Sequence, residues 1–151
     1  MKNTKWVKWC NRKMIAGKNQ PAVYFIAYSE HDISDNEFTM LKEIVYIGVT
    51  ISINGLNGRL NQFTRSMTGK KNVHGGAERV LFANEDIEAF FNSAFVSARI
   101  FNISKAKSEV EVLRIKGKCL GDEYASFADY FEIHNELPKF NNPKSPKKHI
   151  I

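Results

Sequence analysis

Cysteine is almost missing from this chain. Cys10 and Cys119 are the only two, far apart and without metal-ligand spacing, which excludes a zinc module built on paired cysteines. Two isolated thiols fit an intracellular chain better than a disulfide framework. Long apolar runs are missing too: no window approaches the ~20 residues of a membrane span. The N-terminus, Met1-Lys2-Asn3-Thr4-Lys5-Trp6, has no apolar stretch of signal length. A cytoplasmic protein that makes no membrane contact is the expectation. No internal repeat is visible, which argues against a solenoid. Acidic side chains are in deficit, 16 against 22 lysines and arginines, for a formal charge of +6. That balance favours a polyanionic partner and is silent about the fold.

What is present suffices for one ordinary domain. The chain has 151 residues, 43% hydrophobic and 12% aromatic, enough for a single core and too apolar for wholesale disorder. The basic segment 1–20 carries Trp6, Val7 and Trp9, which should pack on the body of the domain and hold that segment down. Pro21 then opens a strand over Ala22–Tyr28, a position where its missing N–H does no harm. Residues 29–43 are acidic against the trend of the chain and read as a surface connection. His31, Asp32 and Asp35 lie there, and a solvated loop explains them as well as a metal site. Ile44–Thr50 is a second β-branched run.

Val49–Gly58, rich in Asn and Gly, reads as a turn into a helix at about 56–67, with Leu56, Leu60, Phe63 and Met67 on one face. Arg59 and Gln62 fall off that stripe. Thr68–Ala77 is polar, basic and glycine-rich; it is either a backbone that approaches a phosphate, helped by Lys70, Lys71 and His74, or a plain surface turn. Residues 78–93 should be helical, with Val80, Leu81, Ile87, Phe90 and Phe91 as core. A third strand is expected at Ala94–Ile103, with Val96, Ala98 and Ile100 on one face. Two further helices follow, one on Val110, Leu113, Gly117 and Leu120. The other spans about 122–135 on Tyr124, Phe127, Ala128 and Phe131 and is ended by Pro138. The tail 143–151 is basic.

The ordered set Tyr24, Tyr46-Ile47-Gly48, Arg59 and the ending Leu137-Pro138-Lys139-Phe140-Asn141 resembles the GIY-YIG endonuclease family. The second motif is intact. The first has become Ala22-Val23-Tyr24, which keeps the tyrosine and loses the glycine. Many family members carry a histidine four residues after the arginine, where this chain has Phe63. The resemblance spans residues 20–142 and is closest in form to the restriction-like, stand-alone members. It implies a single α/β (α+β) domain with a small, mainly antiparallel three-stranded sheet flanked by helices.

The resemblance also implies metal-dependent hydrolysis of DNA, and the residue types suit that chemistry. Phosphodiester cleavage needs an activated water, charge stabilisation on the phosphoryl oxygens and, usually, a divalent ion. The resemblance implies Tyr24 as the better candidate for general base and Tyr46 for orienting water or phosphate. A phenol needs a cationic neighbour to ionise near neutrality. Arg59 would clamp the scissile phosphate with two parallel hydrogen bonds. The metal carboxylate is assigned to Glu123 by the restriction-like spacing before Leu137-Pro138, with Glu109, Glu111, Asp129 and Glu132 as other candidates. One carboxylate completed by water and phosphate suits Mg²⁺ or Mn²⁺. Gly48, Lys70, Lys71, His74 and Asn141 are the expected substrate-binding residues, DNA the expected partner, and a homodimer a way to cut both strands. The alternatives are a binding module of the same fold that no longer cleaves, or a nuclease acting on RNA or branched DNA.

Overall fold

Three stretches dense in apolar, β-branched and aromatic residues suit a pleated surface covered on both sides. In the computed structural model, which describes residues 2–67 and 87–142, they form β2 (Ala22–Tyr28), β3 (Ile44–Thr50) and β4 (Ala94–Ile100). A fourth strand, β1 (Val7–Lys8), joins them, and the order is β1-β4-β2-β3 with every pair antiparallel. The expected three-stranded sheet therefore has four strands. The extra one is only two residues long, too short for any periodicity, and it exists because Val7 pairs with Val96. β4 stops at Ile100 rather than 103, because the next amide, Phe101 N–H, turns to the Pro21 carbonyl at 2.8 Å.

β2 lies in the middle, so both of its faces are buried. Ala22, Tyr24 and Ile26 join one core cluster; Val23, Phe25 and Ala27 join the other. The first cluster is covered by α1 (Gly55–Met67), α2 (Ile87–Asn92) and a 3-10 helix at Trp9–Met14. Trp9 sits 5.4 Å from Phe63 and 5.3 Å from Phe91, ring centre to ring centre. Trp6, on the other side, lies 5.5 Å from Phe38. The two tryptophans thus tie down the N-terminal segment as expected.

Backbone carbonyls from that segment meet the start of α1. Leu56 N–H donates to Gln20 O and Asn57 N–H to Lys18 O, satisfying amides that the first helical turn leaves without partners. The contact requires glycine at position 55. Its φ is +61°, and a Cβ there would lie 2.3 Å from the Asn19 carbonyl carbon.

Where two helices are expected after residue 108 there is one, α3 (Glu109–His134), running through Gly117 and Gly121. Ser108 caps it by accepting from Glu111 N–H, and the Glu111 carboxylate accepts from Lys107 N–H. It ends at Asn135, left-handed at φ 60°, three residues before Pro138. Its rotation also differs from expectation. Cys119, Ser126 and Tyr130 face the sheet, while Val110, Leu113, Leu120, Tyr124 and Phe131 are exposed, Tyr124 by 74%. Apolar residues occupy two sides of this helix, and the Arg99–Asp122 ion pair at 2.7 Å selects which side turns inward.

The acidic connection 29–43 does not stand away from the body as expected. Ile33, Phe38, Met40 and Leu41 pack against the second cluster. Tyr130 Oη donates to Lys42 O, and His134 Nε2 lies 2.8 Å from Met40 O. Among the described residues, no helix is long and apolar enough to cross a membrane.

Candidate functional site

Tyr24 and Gly48 face each other across the β2–β3 ladder. The Tyr24 ring lies flat against Gly48: a Cβ at that position would come 2.4 Å from both Cζ and Oη of the tyrosine. The glycine of the Tyr46-Ile47-Gly48 motif is therefore the floor on which Tyr24 rests. Tyr24 is completely buried. Burial drives its pKa far above that of an ordinary phenol, and Tyr46 and Glu123 push the same way. Arg59 opposes them with its charge and a hydrogen bond to the Tyr24 side chain, without prevailing. The expectation that Tyr24 is the better general base thus meets a sealed, protonated phenol. Tyr46, half-buried with its ring 6.1 Å from that of Tyr24, keeps exposed surface.

Arg59 comes from α1, one turn in, off the apolar face formed by Leu56, Leu60, Phe63 and Met67. Its Nη1 donates to Gln62 Oε1 at 2.7 Å, while its Nε, shielded from solvent, has no partner among the described residues. Beside it opens a cleft of about 510 Å³, lined by Val49, Thr50, Ile51, Ser52, Asn54, Gly58, Arg59 and Gln62. A buried N–H without a partner is costly, and Arg59 carries one at the wall of this cleft. Phe63 is fully buried against Trp9 and Tyr46, and that corner is apolar.

Glu123 reaches the same cluster from α3. Burial raises its carboxyl above the usual range, and Arg59 works in the opposite direction. What aims it is a neighbour that sequence reading passed over. Asp122 pairs with Arg99 on β4, whose guanidinium also reaches Ser126 Oγ and lies over the Phe25 ring. Cys119, one turn earlier, sits against Thr50 O. No local signal in the sequence joins residue 99 to residue 122. Glu109, Glu111, Asp129 and Glu132 are exposed.

The chain matches no protein-family model, no curated protein and no solved structure.

Asn141 belongs to a short 3-10 turn, Lys139–Asn141, which anchors through buried Phe140. Its Oδ1 accepts from Ile47 N–H at 2.7 Å and its Nδ2 donates to Ile47 O at 2.8 Å. Both halves of the amide are thus spent on the open edge of β3 rather than turned toward a substrate. Asn141 holds the strand that carries Tyr46 and Gly48. Lys70, Lys71 and His74, with Val80 and Leu81, lie outside the described residues. Asp32 is taken by Ser34 and by Lys8 at 3.6 Å. Among the described residues no three His, Cys, Asp or Glu side chains come together to hold a metal. A hard cation bound through water and substrate phosphate needs no such cage, and Glu123, half-buried beside Arg59, is the carboxylate that could hold one.

Proposed function

We propose that this chain is a metal-dependent endonuclease hydrolysing DNA phosphodiester bonds, a stand-alone GIY-YIG-like enzyme. One observation carries the reading. Tyr24, Tyr46, Arg59 and Glu123 come from four separate elements and form one electrostatically coupled cluster, in which Arg59 also lines an open cleft.

Arg59 holds the scissile phosphate, its planar fork matching two phosphoryl oxygens as charge builds on them. Glu123 would hold Mg²⁺ or Mn²⁺, which would supply Lewis-acid stabilisation of the same charge. Tyr24, rigid on Gly48, accepts a hydrogen bond from Arg59 and fixes the guanidinium. Tyr46, the phenol with exposed surface, orients the attacking water. Two such chains on one duplex would cut both strands.

A nucleic-acid-binding module that does not cleave is the second reading, favoured by the complete burial of Tyr24 and by the apolar Phe63 corner. Incubation of purified protein with supercoiled plasmid in Mg²⁺ separates the two. Nicking that EDTA abolishes is expected, with Arg59→Ala and Glu123→Gln each losing at least ~10²-fold in rate while DNA binding persists. Arg59→Lys should be badly impaired as well. An Arg59→Ala protein within about tenfold of wild type, ~1.4 kcal/mol of barrier, would remove Arg59 from the reaction.

A further inference from the structure

The solvent face of α1 has an unusual make-up. From Ile51 to Met67 there is no acidic residue, and asparagine recurs at 54, 57 and 61, followed by Arg65. These positions are three to four apart and so share one side of the helix. With Asn19 they line a hollow of about 450 Å³. It shares Asn54 and Gly58 with the Arg59 cleft, so the two form one continuous surface. Gly58 makes that junction possible: a Cβ there would stand 2.4 Å from the Asn54 Cβ.

A surface that only gripped phosphates would be furnished with lysine and arginine. An asparagine amide offers a donor and an acceptor side by side, the complement of adenine N6 and N7. Asn54, exposed, and Asn61, half-buried, line the hollow, whereas the Asn57 Oδ1 is shielded from solvent. Arg12 is held by Trp9 O and reaches Asn61 Oδ1 at 3.4 Å, placing its charge at the rim. At the lip stands Ile53, 95% exposed, an apolar side chain with nothing of its own to cover. An apolar group beside amides is what an adenine–thymine pair asks for, since thymine presents a methyl group next to adenine's edge.

We propose that this asparagine face of α1 is a base-reading surface for duplex DNA, with Asn54 and Asn61 taking adenine edges and Ile53 the thymine methyl, while Arg59 holds the adjoining phosphate. The proposal rests on the nuclease reading and adds a specificity to it: adenine–thymine pairs next to the cut.

The test is selection of bound sequences from a randomised duplex pool by the full-length protein in EDTA, which keeps cleavage out of the measurement. Wild type should enrich A·T pairs at one or more fixed positions. Asn61→Ala and Asn54→Ala should each relax that preference, by about 5- to 150-fold for a lost bidentate contact. The dependence of binding on salt should stay the same, because no phosphate contact is lost. Ile53→Ser should erase any preference for thymine over uracil in otherwise identical duplexes. Binding without sequence enrichment, or an enrichment that survives both asparagine variants, overturns the proposal, and Arg59-dependent plasmid cleavage would then leave the nuclease reading intact. A protein that binds no duplex at any salt overturns both.

Discussion

Adding one methyl group at Gly48 is the sharpest physical test of the site, because it needs no assumption about chemistry. A Cβ at position 48 would sit 2.4 Å from Cζ and from Oη of Tyr24. Ordinary carbon contacts are about 3.5–4.0 Å, so ring or strand must retreat by more than ~1 Å. Neither can do so freely. Tyr24 is completely buried on the central strand, paired to Ala98 on one side and to Gly48 on the other. The position-48 strand is pinned by both hydrogen bonds from Asn141 to Ile47. Overpacking of this kind costs about 1–3 kcal/mol, and in a domain of this size each kcal/mol lowers Tm by about 2–4 °C. Gly48→Ala should therefore melt roughly 2–12 °C lower.

Urea unfolding followed through the buried Trp6 and Trp9 would measure it, with the slope unchanged if only stability moves. Tyr24→Phe should not rescue the variant, since Cζ is as close as the hydroxyl. Tyr24→Ala should: in that background the added methyl costs less than ~0.5 kcal/mol, leaving a coupling of at least ~0.5 kcal/mol in the double-mutant cycle. A Gly48→Ala protein within ~0.5 kcal/mol of wild type would show that the tyrosine does not rest on the glycine. If the cluster is catalytic, the same displacement of ~1 Å should cost about 10²-fold in cleavage.

The opposite sign is expected on α3, where a Cβ at Gly117 or Gly121 would meet nothing within 4 Å. Gly117→Ala should stabilise by about 0.5–1 kcal/mol in the same assay, through helix propensity alone. Asn141→Ala removes two hydrogen bonds from the open edge of β3; a loss of about 1–3 kcal/mol is expected, and faster amide exchange at Ile47 should report it. Burial, helped by Asp122 and Glu123, pushes the Cys119 thiol up to about 12. In folded protein at pH 8, iodoacetamide should thus label exposed Cys10 and spare Cys119 until urea is added.

Much of the fold was legible because its signals are local. The runs Ala22–Tyr28 and Ile44–Thr50 announce strands by composition, and their observed bounds coincide with those runs. The stripe Leu56, Leu60, Phe63 and Met67 fixes both the existence and the inward face of α1, so the outward direction of Arg59 follows from spacing alone. The double tryptophan correctly foretold a packed N-terminal segment.

Other features rest on pairings between distant residues, which no pattern in a single sequence encodes. α3 carries apolar residues on two sides, and only the Arg99–Asp122 pair and Ser126 decide that Cys119 and Tyr130 turn inward while Tyr124 and Phe131 turn out. That choice of rotation brings Glu123 within electrostatic reach of Arg59. Asn141 grips Ile47 from 94 positions away, and Val7 becomes a strand only because Val96 offers an edge. The sequence by itself determined the strands Ala22–Tyr28 and Ile44–Thr50 and the inward face of α1, since period and residue type are local properties. Tertiary structure decided the depth at which Tyr24 is sealed, the floor that Gly48 provides and the acid that meets the arginine, because burial and electrostatic coupling arise only when separate elements pack.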